Sequence, residues 1–170
     1  MISQIITTSI LVTNIVFCVA LLLFIFNKTF REKIKYYTNT YILYLLFLLV
    51  LGSIVGSLMY SNILNYDPCV LCWYQRIVIY PQIIFLLTAI IKKDRGVVYY
   101  LIPLSIIGFC ISLYQWLSNF TGKSFLPCTA NGGECSRIYV MDYGYITIPF
   151  MALSVFTYLL ALSFIYLKNK

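Results

Sequence analysis

The sequence predicts an all-α membrane protein, an antiparallel bundle of four transmembrane helices with one additional transmembrane helix at the N-terminus. Of its 170 residues, 62% are hydrophobic and only 10% are charged, whereas a soluble domain is nearer half apolar and a quarter charged. The mean hydropathy is +0.91. The charges leave long uncharged runs, most of them about as long as the roughly 20 residues that cross a bilayer. These runs are residues 1–27, 36–66, 77–91, 96–122 and 143–167.

Each run predicts one helix, and the third becomes long enough once residues 70–76 are added. The second helix would span roughly 31 Å at about 1.5 Å per residue, which is one hydrocarbon thickness. The third would begin just after Pro68, a residue that suits a helix start. The expected helices are Ile5–Phe26, Tyr41–Ser61, Val70–Ile91, Val97–Leu117 and Ile146–Leu167.

The N-terminal half of the first helix contains several hydroxyl and amide side chains. It lacks the basic start and the small-residue cleavage site of a signal peptide, so we expect it to be retained. Residues 1–40 are therefore predicted to form an accessory helix and a basic cytoplasmic loop, and residues 41–170 the four-helix bundle. The polar residues of the first helix are Thr7, Thr8, Ser9, Thr13 and Asn14.

The basic residues predict the orientation in the membrane. Nine of the twelve lie in three short clusters between the apolar runs, as the positive-inside rule expects of cytoplasmic segments. The N-terminus and the segments 62–69 and 118–145 would then lie outside. The net charge of +7 forms no basic stripe, so a nucleic acid is not an expected partner, whereas the lipid bilayer is. The clusters are Lys28, Arg31, Lys33 and Lys35; Lys92, Lys93 and Arg95; and Lys168 and Lys170.

The six cysteines fall into two kinds, and the chain has no histidine. Cys18 and Cys110 are single cysteines inside apolar helices, where we expect small buried side chains with unreactive thiols. The other four lie in the two outer segments, on the side of the membrane where disulfides persist. They are Cys69 and Cys72, spaced C-x-x-C, and Cys128 and Cys135 in the longer segment.

The C-x-x-C pair is placed where a thiolate is stabilised. Pro68 predicts a helix start with Cys69 at the cap and Cys72 in the first turn, where unpaired N–H groups and the helix dipole favour negative charge. The thiolate is the nucleophile of disulfide exchange. Arg76 follows one turn later on the same face as Cys72, so it would favour a Cys72 thiolate and could hold an oxygen of a ligand. Alternatively, Arg76 extends to lipid headgroups.

The second pair lies in a short loop with a strong turn signal. Asn131, Gly132 and Gly133 allow the chain to fold back and bring the sulfurs of Cys128 and Cys135 together. A disulfide that closes so short a loop stabilises the folded protein by only about 2.5 kcal/mol. Such a bond is better suited to thiol–disulfide exchange than to holding the fold together. A structural disulfide remains an alternative. A four-cysteine zinc site is another, although such sites usually pair two C-x-x-C units.

The stretch 67–81, DPCVLCWYQRIVIYP, resembles the signature of the DsbB/BdbC family of membrane disulfide-bond formation proteins. The short second loop and the run YITIPF at 145–150 resemble its BdbC branch. The resemblance implies a DsbB-like bundle in the bacterial cytoplasmic membrane, with both cysteine pairs on the extracytoplasmic side. It also implies an enzyme that reoxidises a thioredoxin-fold thiol oxidase of the DsbA or BdbD type. The electrons would pass to a membrane quinone, either ubiquinone or menaquinone.

The resemblance also implies a role for each site residue. Cys128 would be attacked by the partner, Cys135 would pass the electrons to Cys69, and Cys72 would face the quinone. Arg76 matches the arginine that the family uses in quinone binding. This chain differs from the family pattern in its additional N-terminal helix and, compared with the DsbB branch, in the closeness of its second cysteine pair.

Three other functions remain open from the sequence. A VKOR-like quinone reductase also has two cysteine pairs, but its C-x-x-C follows the loop pair, whereas here it comes first. A non-enzymatic membrane scaffold would use both pairs as structural disulfides. A metal-binding membrane protein is the third alternative, which elemental analysis of the purified protein would test.

Overall fold

The computed structural model describes residues 2–121 and 140–168. This part of the chain forms five helices, each long and apolar enough to cross a membrane. The predicted fold class, a helical membrane bundle with an additional N-terminal helix, is confirmed. A π turn, Met59–Ile63, continues the second helix, and a 3₁₀ turn, Arg95–Val97, leads into the fourth. The helices are α1 (Ile2–Phe26), α2 (Lys28–Leu58), α3 (Val70–Lys92), α4 (Val98–Thr121) and α5 (Ile148–Lys168).

The start of α2 differs from the prediction. The helix begins at Lys28 rather than at Tyr41, so the basic segment expected to be a loop is helical. Asn27 caps it, because its side-chain oxygen accepts a hydrogen bond from the backbone N–H of Phe30 at 3.2 Å. Lysine, arginine and glutamate are good helix formers once they lie outside the hydrocarbon. Charged residues are therefore no sign of a loop here, and the predicted start of α2 lies too late in the chain.

Helices α2 to α5 pack around one apolar core. Gly108 in α4 shows how close this packing is, because a Cβ atom there would lie 2.2 Å from Cζ of Phe156 in α5. Only glycine allows the two helices to approach so closely at this level. The fully buried core side chains include Ile42, Leu46, Val50, Leu86, Leu101, Phe156 and Leu159.

Helix α1 contacts the bundle through polar side chains near its N-terminal end. Thr7 Oγ1 donates a 2.7 Å hydrogen bond to Asp142 Oδ2, and Tyr158 in α5 donates one of 2.5 Å to Asn14 Oδ1. The ring of Phe17 lies 4.5 Å from that of Tyr158. These contacts join the first helix to the last part of the chain.

Asp142 belongs to a tight turn just before α5. It exchanges two backbone hydrogen bonds with Ile146, of 3.1 and 3.0 Å, while Tyr143 and Gly144 adopt positive φ angles of 55° and 77°. Positive φ suits glycine, and at Tyr143 it is uncommon for a bulky residue. The turn fixes the chain direction into Thr147 and α5.

The two single cysteines are not buried in protein, contrary to the prediction. Cys18 in α1 and Cys110 in α4 are both exposed on the outside of the helix bundle. An apolar helix in a membrane protein presents apolar residues both to its neighbours and to lipid, so an apolar environment in sequence does not distinguish the two. Their surroundings in the membrane would be hydrocarbon.

Candidate thiol site and its cavity

The C-x-x-C pair lies at the start of α3, as predicted. Cys69 is the N-cap residue, with extended φ and ψ of −70° and 170°, and its carbonyl accepts the N–H of Trp73 at 3.1 Å. This geometry places Cys72 in the first turn, with its side chain beside that of Cys69. The Cys69 thiol donates a hydrogen bond to Cys72 Sγ, and the sulfurs are 3.2 Å apart. Only a small movement separates them from a disulfide bond.

Two buried glutamines complete the surroundings of the sulfurs. Gln115 in α4 donates from Nε2 to Cys69 Sγ at 3.1 Å and to Cys72 Sγ at 3.4 Å. Gln75 in α3 donates to Gln115 Oε1 at 2.9 Å, which turns the amide nitrogen of Gln115 toward the sulfurs. Neither glutamine was predicted from the sequence to belong to the site. Their signal was present, because polar side chains inside membrane spans are costly and tend to be functional.

The hydrogen bonds distinguish the two sulfurs. The bond that Cys69 donates to Cys72, and after it burial, raise the pKa of the Cys69 thiol. Cys69 therefore keeps its proton, while Cys72 Sγ accepts hydrogen bonds from Cys69 and Gln115. Donors aimed at one atom stabilise negative charge on it. The surroundings thus stabilise a negative charge on the sulfur of Cys72 rather than on that of Cys69.

Arg76 lies in the protein interior rather than extending to the membrane surface. It is buried, with 8% of its surface exposed, and it donates from Nε to Ser57 Oγ at 2.9 Å. Its Nη2 donates to Ser57 O and to Ser61 Oγ, both at 3.0 Å, and its Cζ lies 5.2 Å from the ring centre of Trp73. This geometry does not fit the headgroup alternative.

The serines that hold Arg76 flank the start of the π turn at the end of α2. Such a turn interrupts the regular backbone ladder and is frequent at functional sites. Here Leu64 N–H bonds to Met59 O at 3.2 Å. Within the described residues, the hydrogen bonds of Arg76 use Nε and Nη2, and Nη1 forms none.

Both thiols and Arg76 line one cavity of about 890 Å³. This volume is typical of pockets that enclose a small organic ligand. The residues that line the cavity belong to all five helices, to the π turn and to the segments before α3 and α5. The sequence-predicted residues Cys69, Cys72 and Arg76 are therefore brought together at one ligand-sized space.

The cavity also presents two buried polar atoms that lack a partner within the described residues. They are Oδ1 of Asn119, which is 9% exposed, and Oγ1 of Thr147, which is 1% exposed. Both residues line the cavity. Because buried polar groups are nearly always hydrogen-bonded, these atoms are positions where a ligand's polar atoms would be favourable. Neither residue was predicted from the sequence to belong to the site.

Cys128 and Cys135 lie outside the described residues. The described chain stops at Thr121, the last residue of α4, and resumes at Val140. Val140 lines the cavity that contains Cys69 and Cys72. The roles expected of Cys128 and Cys135 therefore remain predictions.

The chain is similar to known disulfide bond formation proteins. Residues 39–166 match the family described as Disulfide bond formation protein DsbB. Probable disulfide formation protein C 1 of Bacillus anthracis is 41% identical over 121 residues, which cover 68% of this chain and 84% of the relative. The SPbeta prophage-derived disulfide bond formation protein B of Bacillus subtilis is 40% identical over 116 residues, covering 68% and 78%.

A third relative comes from a different genus. A probable disulfide formation protein of Coxiella burnetii is 40% identical over 118 residues, covering 68% of this chain and 80% of the relative. No solved structure matches the chain. Helix α1 lies before the residues that the family match covers.

Proposed function

Because this chain belongs to the DsbB family of disulfide bond formation proteins, we propose that it forms disulfide bonds as a thiol:quinone oxidoreductase. Its protein substrate would be an extracytoplasmic thioredoxin-fold thiol oxidase, and its electron acceptor a membrane quinone. The observation that carries the proposal is the position of the two sulfurs, 3.2 Å apart, at the wall of a ligand-sized cavity. A structural disulfide would need neither the cavity nor the hydrogen-bond donors.

The residues of the cavity fit a quinone. Its walls include apolar side chains such as Leu49, Ile79 and Val155, which suit a hydrophobic ring. Arg76 offers free N–H groups to a carbonyl oxygen, and Thr147 offers a hydroxyl. When bound, a quinone accepts two electrons and two protons and becomes a quinol. Asn119 Oδ1, an acceptor only, suits the hydroxyl of the reduced form.

The exchange with the partner would begin in the second cysteine loop. A partner thiolate attacks Cys128 of the Cys128–Cys135 disulfide, and Cys135 leaves as a thiolate. The partner's second thiolate then breaks the mixed disulfide, so the partner leaves oxidised and both loop cysteines are reduced. Each step exchanges one sulfur–sulfur bond for another.

The electrons would next move to the Cys69–Cys72 pair. Cys135 attacks Cys69 of the Cys69–Cys72 disulfide, and Cys72 leaves as a thiolate stabilised by the Gln115 amide and the helix N-terminus. Cys128 then attacks Cys135, which re-forms the loop disulfide and releases Cys69. The Cys69–Cys72 pair now holds two electrons more than before.

Reoxidation of the Cys69–Cys72 dithiol closes the cycle. Two electrons and two protons leave the pair, and its disulfide re-forms. Because the chain contains no histidine, the thiols themselves and water are the proton sources. Cys69, whose raised pKa keeps it protonated, would release its proton last.

The arrangement in the membrane follows from the charges. The chain is a multi-pass membrane protein, and we propose that it lies in the bacterial cytoplasmic membrane. The basic clusters around Lys28 and Lys92 would face the cytoplasm. Cys69 lies at the opposite end of α3 from Lys92. The thiol end of the bundle would therefore face outward, where a secreted thiol oxidase can reach it.

The experiment is a balanced redox assay. The purified protein is placed in lipid vesicles containing ubiquinone or menaquinone and supplied, without oxygen, with a reduced thioredoxin-fold oxidase. We expect one quinol for each partner disulfide formed, and no turnover in vesicles without quinone. Partner oxidation without quinol formation would overturn the quinone acceptor. A protein whose cysteine pairs do not exchange even with glutathione would instead be a scaffold.

A further inference from the structure

The wall of the cavity includes a helix that lies outside the family match. Helix α1 ends at Phe26, and the match begins at residue 39. Nevertheless Ile6, Ile10 and Thr13 line the same cavity as Cys72. Their spacing of four and three residues places them on one face of the helix. The accessory helix therefore contributes to the site.

Polar contacts fix the rotation of α1. Thr7 bonds to Asp142 at 2.7 Å, and Asn14 accepts a bond from Tyr158 at 2.5 Å. Thr7 is fully buried. Since unpaired polar groups are costly inside a membrane, these two contacts favour a single orientation of the helix. The cavity-lining face is thereby held toward the cavity.

A different face of α1 does not line the cavity, although Thr13 is exposed as well. Val12, Ile15 and Val16 are 54%, 55% and 60% exposed, and none of them lines the cavity. In a membrane these side chains would contact lipid. Helix α1 thus stands between the cavity and the lipid, with one face toward each.

We propose that α1 is a wall of the acceptor cavity, and that Ile10 and Thr13 are specificity-determining residues for the quinone. This inference rests on the proposed function. Changing the size of these side chains alters the space next to the acceptor. The sulfurs have their hydrogen-bond donors on α3 and α4, so thiol exchange with the partner does not depend on α1. The helix would set affinity and selectivity for the acceptor alone.

The test compares neighbouring positions on α1. Thr13→Trp and Thr13→Leu place larger side chains on the cavity face, and Val12→Trp and Val12→Leu place the same side chains on the lipid face. For Thr13→Trp we expect a KM for quinone about tenfold higher than wild type, with a smaller rise for Thr13→Leu. The ratio of rates with long-tailed and short-tailed quinones should also change. Both Val12 variants should behave as wild type.

A second measurement separates a local effect from misfolding. In a single turnover without quinone, the Thr13 variants should exchange disulfides with the reduced partner at the wild-type rate. A wild-type KM in both Thr13 variants would overturn the inference. So would loss of exchange in Thr13→Trp together with a wild-type KM in Thr13→Leu. A wild-type protein that transfers no electrons to quinone would instead overturn the proposed function.

Discussion

The described part of the chain contains two kinds of cysteine in one bundle. Cys69 and Cys72 are partly buried at the start of α3, 3.2 Å from each other and within reach of a glutamine amide. Cys18 and Cys110 are exposed on the outside of the bundle, in the apolar middle of α1 and α4. All four are unbonded thiols, so their chemistry is decided by their surroundings.

The surroundings of the proposed redox pair differ from those of the single cysteines in three ways. Only the first kind has a second sulfur beside it, hydrogen-bond donors to hold a negative charge, and a cavity for an acceptor. A thiol facing hydrocarbon has no group to stabilise its thiolate, and the thiol form is a poor nucleophile. Position within the bundle, rather than the cysteine itself, therefore distinguishes the proposed redox pair from the two single cysteines.

The largest expected effect comes from removing the sulfur next to the cavity. Cys72→Ser should reduce quinone-dependent oxidation of the partner to the uncatalysed background, because the Cys69–Cys72 disulfide can no longer form. Cys110→Ser is the matched control and should retain the wild-type rate. Quinol formation measured for both variants tests this. Full activity in Cys72→Ser would contradict the assignment of the redox pair.

Removing the donor to both sulfurs should have the next largest effect. Gln115→Leu deletes a hydrogen bond to a charged group, which is worth about 1.5–3 kcal/mol, so the rate of thiol exchange at the Cys69–Cys72 pair should fall roughly 10- to 100-fold. Gln82→Leu is the control. Gln82 is also fully buried but bonds to Val78 and Ser105, away from the sulfurs. Equal losses in the two variants would mean that the Gln115 effect is one of stability.

Replacing the guanidinium of Arg76 by another cation should weaken the binding of the quinone. Arg76→Lys keeps a cation but loses the planar group that bonds Ser57 and Ser61 and still offers free N–H groups. We expect the KM for quinone to rise about tenfold, with the thiol-exchange step little changed. Arg95→Lys, at an exposed position, should leave both quantities at wild type. An unchanged KM in Arg76→Lys would separate Arg76 from the acceptor.

The smallest expected effect concerns the proton on Cys69. In a reduced protein carrying Cys128→Ala and Cys135→Ala, alkylation of Cys69 should be slow at pH 8, because its pKa is raised by the hydrogen bond to Cys72 and by burial. Adding Cys72→Ala removes the acceptor of that bond. The pKa should then fall toward the usual 8.5 or so, and alkylation at pH 8 should become severalfold faster.

The control for this measurement is Cys110→Ala in the same background. It should leave the alkylation rate of Cys69 unchanged at every pH. Mass spectrometry of peptides containing Cys69 gives the rate directly. A slower reaction after Cys72→Ala would show that Cys72 lowers, rather than raises, the pKa of its neighbour.

The helices could be predicted well from the sequence. Because charged side chains are costly in lipid, membrane-spanning segments appear in the sequence as long uncharged runs. The ends of α3, α4 and α5 fall within a few residues of the prediction. The predicted start of α2 was wrong, because uncharged runs show only which residues lie in the hydrocarbon. Outside the hydrocarbon, charged residues can be helical or form a loop. Only the cap formed by Asn27 shows where the helix begins.

The site was predictable in part. Cys69, Cys72 and Arg76 could be placed together, because their spacing on one helix fixes their relative positions. Gln115 could not be paired with them, since a contact between α3 and α4 depends on how the helices pack. The burial expected for Cys110 was wrong for a related reason: sequence does not show which apolar face meets lipid.

The bonds from Thr7 to Asp142 and from Tyr158 to Asn14 join the two ends of the chain. A chain is synthesised from its N-terminus, so α1 enters the membrane long before α5 exists. Until translation finishes, its amide and hydroxyl groups have none of these partners. The cavity beside Cys72 is therefore enclosed only in the last stage of biogenesis. We expect a nascent chain truncated before α5 to carry thiols that cannot yet pass electrons to a membrane quinone.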